Sequence, residues 1–206
     1  MKIINKIVGA CHASFVFPRR TEVLVKHLTR LLSKTGNILD IGSGDGLIAK
    51  KIITNNPELK ITCVDILERR YGYLPIVLFD GVHIPYPDKS FDCVMLVDVI
   101  HHTTSQRKLL KEAARVSKKY LLIKDHYADS YLKCTLLRCL DWVGNKAHGI
   151  SLPYSFLSRA QWQEIWRKLG LEQELELRRL NIYPFPFNRL IEWPWNFIVK
   201  LRKIND

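Results

Sequence analysis

The stretch "NILDIGSGDGLIAKKI", Asn37 to Ile52, joins an apolar run to a helical pattern through a turn with glycine at positions 42, 44 and 46. A strand, a glycine-rich turn and a helix in succession commit a chain to an α/β architecture in which a ligand meets backbone N–H groups at the helix start. The spacing excludes two common occupants. A pyrophosphate-binding dinucleotide turn needs G-x-G-x-x-G, and the third glycine position counted from Gly42 and Gly44 is Leu47. No Lys-Ser or Lys-Thr pair follows the glycines, so a Walker-type phosphate loop is excluded too. Asp40 and Asp45 flank the turn; they would repel a pyrophosphate but could accept hydrogen bonds from an ammonium group. The preferred ligand carries an amine.

Around this unit, strand and helix patterns alternate. Val23, Leu24, His27, Leu28, Leu31 and Leu32 recur at helical spacing within residues 21–34, with Thr21 as the expected N-cap. "NILDIG" reads as a buried strand, "DGLIAKKIITN" as a helix, "KITCVDI" as a second strand and "PIVLFD" as a short third. After the proline-marked loop "IPYPDKS" come the strand "FDCVMLVDV", the helix "TSQRKLLKEAARVSK" and the strand "KYLLIKD". Such alternation argues for a parallel sheet with helices on both faces. The C-terminal third changes character: a helical stretch in "SYLKCTLLRCLDWVG", the loop "NKAHGISLPYSF", the helix "SRAQWQEIWRKLG", and two extended runs, "LEQELELRRLNIY" and "WNFIVKLRK". Two late strands are expected as an antiparallel hairpin on the sheet edge.

The length of 206 residues suits one α/β domain, and no apolar window approaches the roughly 18 residues of a membrane-spanning helix. The opening "MKIINKIVGAC" loosely resembles a lipoprotein signal, but Lys6 interrupts an already short apolar stretch. The five cysteines form no CxxC pair, and Cys63 and Cys93 fall inside strands as small buried hydrophobes. A reducing, cytoplasmic setting is expected. The net charge of +12 favours an anionic partner, yet the basic residues are scattered as doublets such as Arg19–Arg20 and Lys118–Lys119, which reads as solvated surface.

"ILDIGSGDG" resembles the first motif of class I S-adenosylmethionine-dependent methyltransferases, of the small-molecule, methyltransferase type 11-like kind. Asp65, ending "ITCVD", matches the family's acidic residue at the end of the second strand. "FDGVHIPYPDKSFDCVML" resembles the segment whose Asp, here Asp80, faces the adenine, and "EAARV", Glu112 to Val116, resembles the end of the helix before the fifth strand. The charged connection in "RVSKKYLLI" departs from the family's usual Pro-Gly-Gly turn. The resemblance spans about Val23 to Asp125. It implies a three-layer Rossmann-like sandwich, mostly parallel with a C-terminal antiparallel hairpin, as one domain over 1–206: a helical cap in 1–36, a cofactor core in 37–125, and substrate-side helices with the hairpin in 126–206. It implies S-adenosyl-L-methionine as cofactor, held by Asp40, Gly42, Ser43, Gly44, Gly46, Asp65, Ile66, Asp80, Gly81 and Asp98. Asp65 would accept both ribose hydroxyls and Asp40 would lie near the amino group.

Methyl transfer is an in-line displacement, helped by a general base when the acceptor is a hydroxyl or an acidic carbon. Candidate bases follow the fourth and fifth strands: His101 and His102 in "DVIHHTT", and His126 in "KDHYADS". The histidine pair reads equally as a polar start to the next helix. Asp98, Asp125 and His126 could converge on a divalent ion, but no clustered ligand spacing supports this, and no metal is expected. His148 and Tyr154 sit in a loop that could cover a substrate. An Asn/Asp-Pro-Pro-aromatic segment, typical of base-amino methyltransferases, is replaced here by "DVIHH", so nucleic acid is the lesser reading. The aromatic and basic segment "YPFPFNRLIEWPWNFIVKLRK", with Arg189, Trp193 and Trp195, suits either a lipid-like acceptor with peripheral membrane contact or packing of the last hairpin. The expected partner is a small-molecule or lipid-like substrate.

Overall fold

In the computed structural model, residues 17–130, 134–135, 153, 155–183, 185, 188 and 195–204 are described. Helix α1 spans Phe17–Leu31, strand β1 Gly36–Ile41, helix α2 Leu47–Asn55, strand β2 Leu59–Asp65 and strand β3 Ile76–Leu78. Strand β4 (Phe91–Val97) leads through a 3-10 turn at Ile100–His102 to helix α3 (Gln106–Val116) and strand β5 (Ser117–His126). Helix α4 (Arg159–Lys168), strand β6 (Leu171–Leu177) and strand β7 (Asn196–Lys203) complete the described elements. The helix expected in "SYLKCTLLRCLDWVG" lies largely outside the described residues, as do His148, Tyr154, Arg189 and Trp193.

The seven strands form one sheet in the order β3-β2-β1-β4-β5-β7-β6. The pairs from β3 to β5 are parallel, while β7 pairs antiparallel with both β5 and β6. The late hairpin is therefore present, with its second strand inside the sheet and β6, lined with glutamates, at the edge. Charged residues on an edge strand blunt its tendency to pair with other chains.

Helices on both faces explain why the central strands read as unbroken apolar runs. Ile38, Met95, Leu122 and Ile198 pack with Leu24 and Leu28 of α1 and Ile52 of α2. Their strand neighbours Leu39, Leu96, Ile123 and Phe197 turn to the opposite face, against Leu110 of α3 and Trp162 and Ile165 of α4. The result is a three-layer sandwich. Trp195 is buried and Phe197–Val199 lie in the sheet interior, so the described end of the C-terminal aromatic segment is core. Cys63 and Cys93 are buried and free, and burial pushes both thiols up to about 12.

Thr21 is not the cap of α1. The helix begins one turn earlier, and the Thr21 hydroxyl donates to the Phe17 carbonyl at 3.0 Å, a bond available only inside a helix. In α3, Arg115 donates to the carbonyls of Ile84 and Tyr86 and to Asp88, and Glu112 accepts from the Ile84 N–H. The "EAARV" segment thus pins the proline-marked loop before β4.

Leu96 is fully buried between two parallel strands, and truncation would leave a cavity. Leu96→Ala is expected to lower stability by about 2–5 kcal/mol, read as a reduced urea midpoint with unchanged slope.

Candidate active site

Ligands of such sheets bind beyond the carboxyl ends of the strands, and β1 there delivers the glycine turn. The Gly42 and Ser43 N–H groups both donate to the Val64 carbonyl, at 2.8 and 3.2 Å, which draws the turn over the end of β2. Gly44 N–H donates to Asp65 Oδ2 at 2.8 Å, and Leu67 N–H donates to Asp65 Oδ1 at 3.0 Å. Each carboxylate oxygen keeps acceptor capacity beyond these bonds. Gly46 directly precedes α2, and its N–H closes the turn on the Ser43 carbonyl.

Two glycines have distinct reasons. At Gly42, with φ +67°, a Cβ would stand 2.6 Å from Val99 Cγ2, so only glycine lets β1 and β4 end side by side. At Gly44, with φ +62°, a Cβ would meet nothing within 4 Å. Gly44 therefore edges an open cradle at the start of α2.

Asp40 is buried at the end of β1. Burial first, and then the charge of Asp65, raise its carboxyl from 3.8 to about 8. An acid that is buried and has no cationic partner among the described residues fits a ligand that brings a positive charge, such as an amine. Across the cleft, Ile66 is 55 % exposed, and Gly81 lies close enough that a Cβ there would stand 3.1 Å from Ile66 Cγ2. The Asp80 carboxylate is bound within its own turn, accepting from the Val82 and His83 N–H groups and pairing with His83 Nδ1 at 2.6 Å, which lowers it to about 2. Its neighbours Gly81 and Ile66, more than its carboxylate, shape the slot between the ends of β2 and β3.

A second cluster lies where β4 and β5 end. Asp98 has φ +55° and accepts from two cations: Arg20 of α1 on Oδ2, and Lys124 of β5 on Oδ1 at 2.5 Å. Burial opposes its ionisation, but Lys124 and Arg20 hold the carboxyl well below the usual range. This corrects the surface reading of the Arg19–Arg20 doublet, because the Arg20 guanidinium is largely enclosed.

Asp125 accepts from the Ile100 N–H at 3.2 Å, the His126 N–H at 2.8 Å and His101 Nδ1 at 2.7 Å. Burial opposes its ionisation too, yet the His101 imidazole and then the His126 side chain hold it far down. His101 stacks on Phe156 with centroids 5.2 Å apart and planes 16° apart, and His126 meets the same ring edge-on. His102, half-buried, lies against His101 with centroids 4.1 Å apart. Burial and the Lys124 charge push His126 down to about 4, so it is neutral at pH 7.

Asp98, expected among the cofactor residues and also beside Asp125 and His126, has its carboxylate bonded to Arg20 and Lys124 in the histidine cluster. Lys124 and Phe156 were not singled out. A lysine inside the apolar run "LLIKD" is the signal that could have exposed Lys124; Phe156 carries none.

A family described as a methyltransferase domain matches residues 17–176. The chain belongs to this family. It is 30 % identical over 120 residues to a tRNA (carboxymethyluridine(34)-5-O)-methyltransferase of Schizosaccharomyces pombe, covering 56 % of this chain and 49 % of that one. It is 28 % identical over 89 residues to a demethylmenaquinone methyltransferase of Thermotoga maritima, covering 40 % of this chain and 39 % of that one. The chain thus matches half or less of the length of these curated relatives. In structure it resembles an S-adenosylmethionine-dependent methyltransferase from Thermotoga maritima, with a TM-score of 0.64, 20 % identity, and coverage of 98 % of this chain and 99 % of that one. The cofactor of this fold and family is S-adenosylmethionine, and the open cradle at Gly44 and the unpaired acid at Asp40 fit its amine-bearing methionine part.

Two outcomes are expected. Gly42→Ala should abolish measurable cofactor binding in a folded protein, because its Cβ displaces Val99 from beneath the turn. With Asp40 at about 8 in the free chain, an arriving ammonium favours the carboxylate and expels the proton. Cofactor affinity should therefore fall as pH drops below about 8, and calorimetry at pH 7 in buffers of different ionisation heat should register proton release. Asp40→Asn should remove that release.

Proposed function

We propose that this chain transfers a methyl group from S-adenosylmethionine to a small or lipid-like acceptor bearing an ionisable hydroxyl or an acidic carbon, with His101 as general base. The observation that carries the reading is the buried pair of His101 Nδ1 and Asp125 Oδ1 at 2.7 Å. An anionic partner on Nδ1 fixes the proton there and leaves Nε2 as the accepting nitrogen. Asp125 in turn is fixed by two backbone N–H donors, so the imidazole cannot swing.

The cofactor supplies a methyl carbon on a positively charged sulfur. The chain's own residues would do the rest. Gly42, Gly44 and Asp40 would seat the amino acid part, Asp65 the ribose, and Ile66 with Gly81 the adenine. His101 would take the acceptor proton as the new bond forms, and Phe156 would offer an apolar wall for a flat acceptor. The Thermotoga maritima relative, named for a quinone precursor, fits an acceptor of this kind.

A second reading, methyl transfer to RNA, draws on the net charge of +12 and on the Schizosaccharomyces pombe relative named for tRNA. A third, a binding module without turnover, would take up the cofactor and transfer nothing. Labelled methyl groups offered with organic extracts and with total RNA separate the three. Label is expected in the organic fraction. Label confined to RNA would favour the second reading and no label in either the third. With an acceptor in hand, His101→Ala is expected to slow turnover by about 10²–10⁴-fold while cofactor affinity stays unchanged. Unchanged turnover would remove His101 as base.

A further inference from the structure

Asp98, His101, Asp125 and His126 each bring one ligand atom to within 4.8 Å of the others. Two carboxylates and two imidazoles form a donor set that divalent metals take, and metal–ligand bonds of about 2.0–2.2 Å require spacings of this order. His126 Nδ1 is buried, has no hydrogen-bond partner among the described residues, and lies 3.6 Å from both Asp98 Oδ1 and Asp125 Oδ1. By composition and spacing this is a cation site. A cation is already there.

Lys124 Nζ stands 2.5 Å from Asp98 Oδ1 and 3.4 Å from His126 Nε2. It holds the same Asp98 oxygen that a metal would need and touches the opposite nitrogen of the same imidazole. Its side chain is 2 % exposed and rises from a strand paired on both sides, with Lys124 opposite Val97 of β4 and Ile198 of β7. Arg20 closes the second oxygen of Asp98. A dipositive ion would enter against the positive charges of Lys124 and Arg20 already held on Asp98.

We propose that Lys124 is the resident cation of the acceptor site, its ammonium taking up the Asp98 carboxylate that a divalent metal would otherwise share with His101, Asp125 and His126. This rests on reading that cluster as the acceptor site. Lys124 is a positioning residue: it anchors Asp98 and holds the His126 ring, leaving Asp125 to orient His101. A fixed ammonium supplies local positive charge, as a bound ion does, without any requirement for free metal.

The test is cobalt binding, which reads the cluster whether or not an acceptor is known. Native chain titrated with Co²⁺ is expected to develop no visible absorption band from histidine-ligated metal. Lys124→Met, checked for folding by circular dichroism, is expected to bind one Co²⁺ per chain at least about tenfold more tightly, and the added change His126→Ala should remove that site. Lys124→Gln serves as the second variant. A native chain that binds one Co²⁺ through His126 would overturn the proposal. So would folded Lys124→Met and Lys124→Gln proteins that bind Co²⁺ no better than native. Failure of the general-base reading, by contrast, appears only in the turnover of His101→Ala.

Discussion

The hydrogen bond from the Gly44 N–H to the Asp65 carboxylate is the contact on which the cofactor side of the molecule depends. It ties the turn after β1 to the end of β2, so one side chain fixes the backbone cradle and also faces the ligand. The turn cannot relax without loosening Asp65, and Asp65 cannot rotate without releasing the turn. Val99 beneath Gly42 and the Val64 carbonyl beside it hold the same turn from the other two directions. Asp40, enclosed at the centre of this arrangement, is the unpaired acid that a cationic ligand completes.

The acceptor side is organised by the opposite solution to the same electrostatic problem. Buried carboxylates are costly unless paired, and here each one has partners from the chain itself. Asp98 takes Lys124 and Arg20, while Asp125 takes two backbone N–H groups and His101. The N-terminal helix thereby contributes more than cover for one face of the sheet, since Arg20 reaches from α1 into the cluster at the ends of β4 and β5. Among the described residues, Asp40 therefore has no cationic partner, while Asp98 has two. On the proposed reading, that asymmetry suits the first group to a cationic cofactor and the second to an acceptor and its proton.

Much of this was legible in the sequence because the constraints were local. The succession of parallel strands and helices follows from alternating apolar and helical periods, and the glycine turn carries its own spacing. Asp40 and Asp65 fall at strand ends, where a carboxylate must face the ligand side of a parallel sheet. Contacts seen only in the folded chain supply the rest. Thr21 looks like a cap because its type favours that position, and only its bond back to Phe17 shows that the helix starts earlier. Arg20 looks like solvated surface until α1 is laid against the sheet. Asp80 matches the pattern of an adenine-facing acid, and its carboxylate also accepts from the Val82 and His83 N–H groups of its own turn. The position of β7 between β5 and β6 depends on pairing two strands distant in sequence, which no local pattern encodes.

The central claim is that Asp65 joins the glycine turn to a site for S-adenosylmethionine. The most direct measurement is calorimetric titration of chain stripped of copurified cofactor with S-adenosylmethionine, comparing the native protein with folded Asp65→Ala. The native chain should bind one equivalent, and the variant at least about tenfold more weakly, as befits loss of a charged hydrogen-bonding partner. No binding by the native chain, or equal binding by the variant, would contradict it.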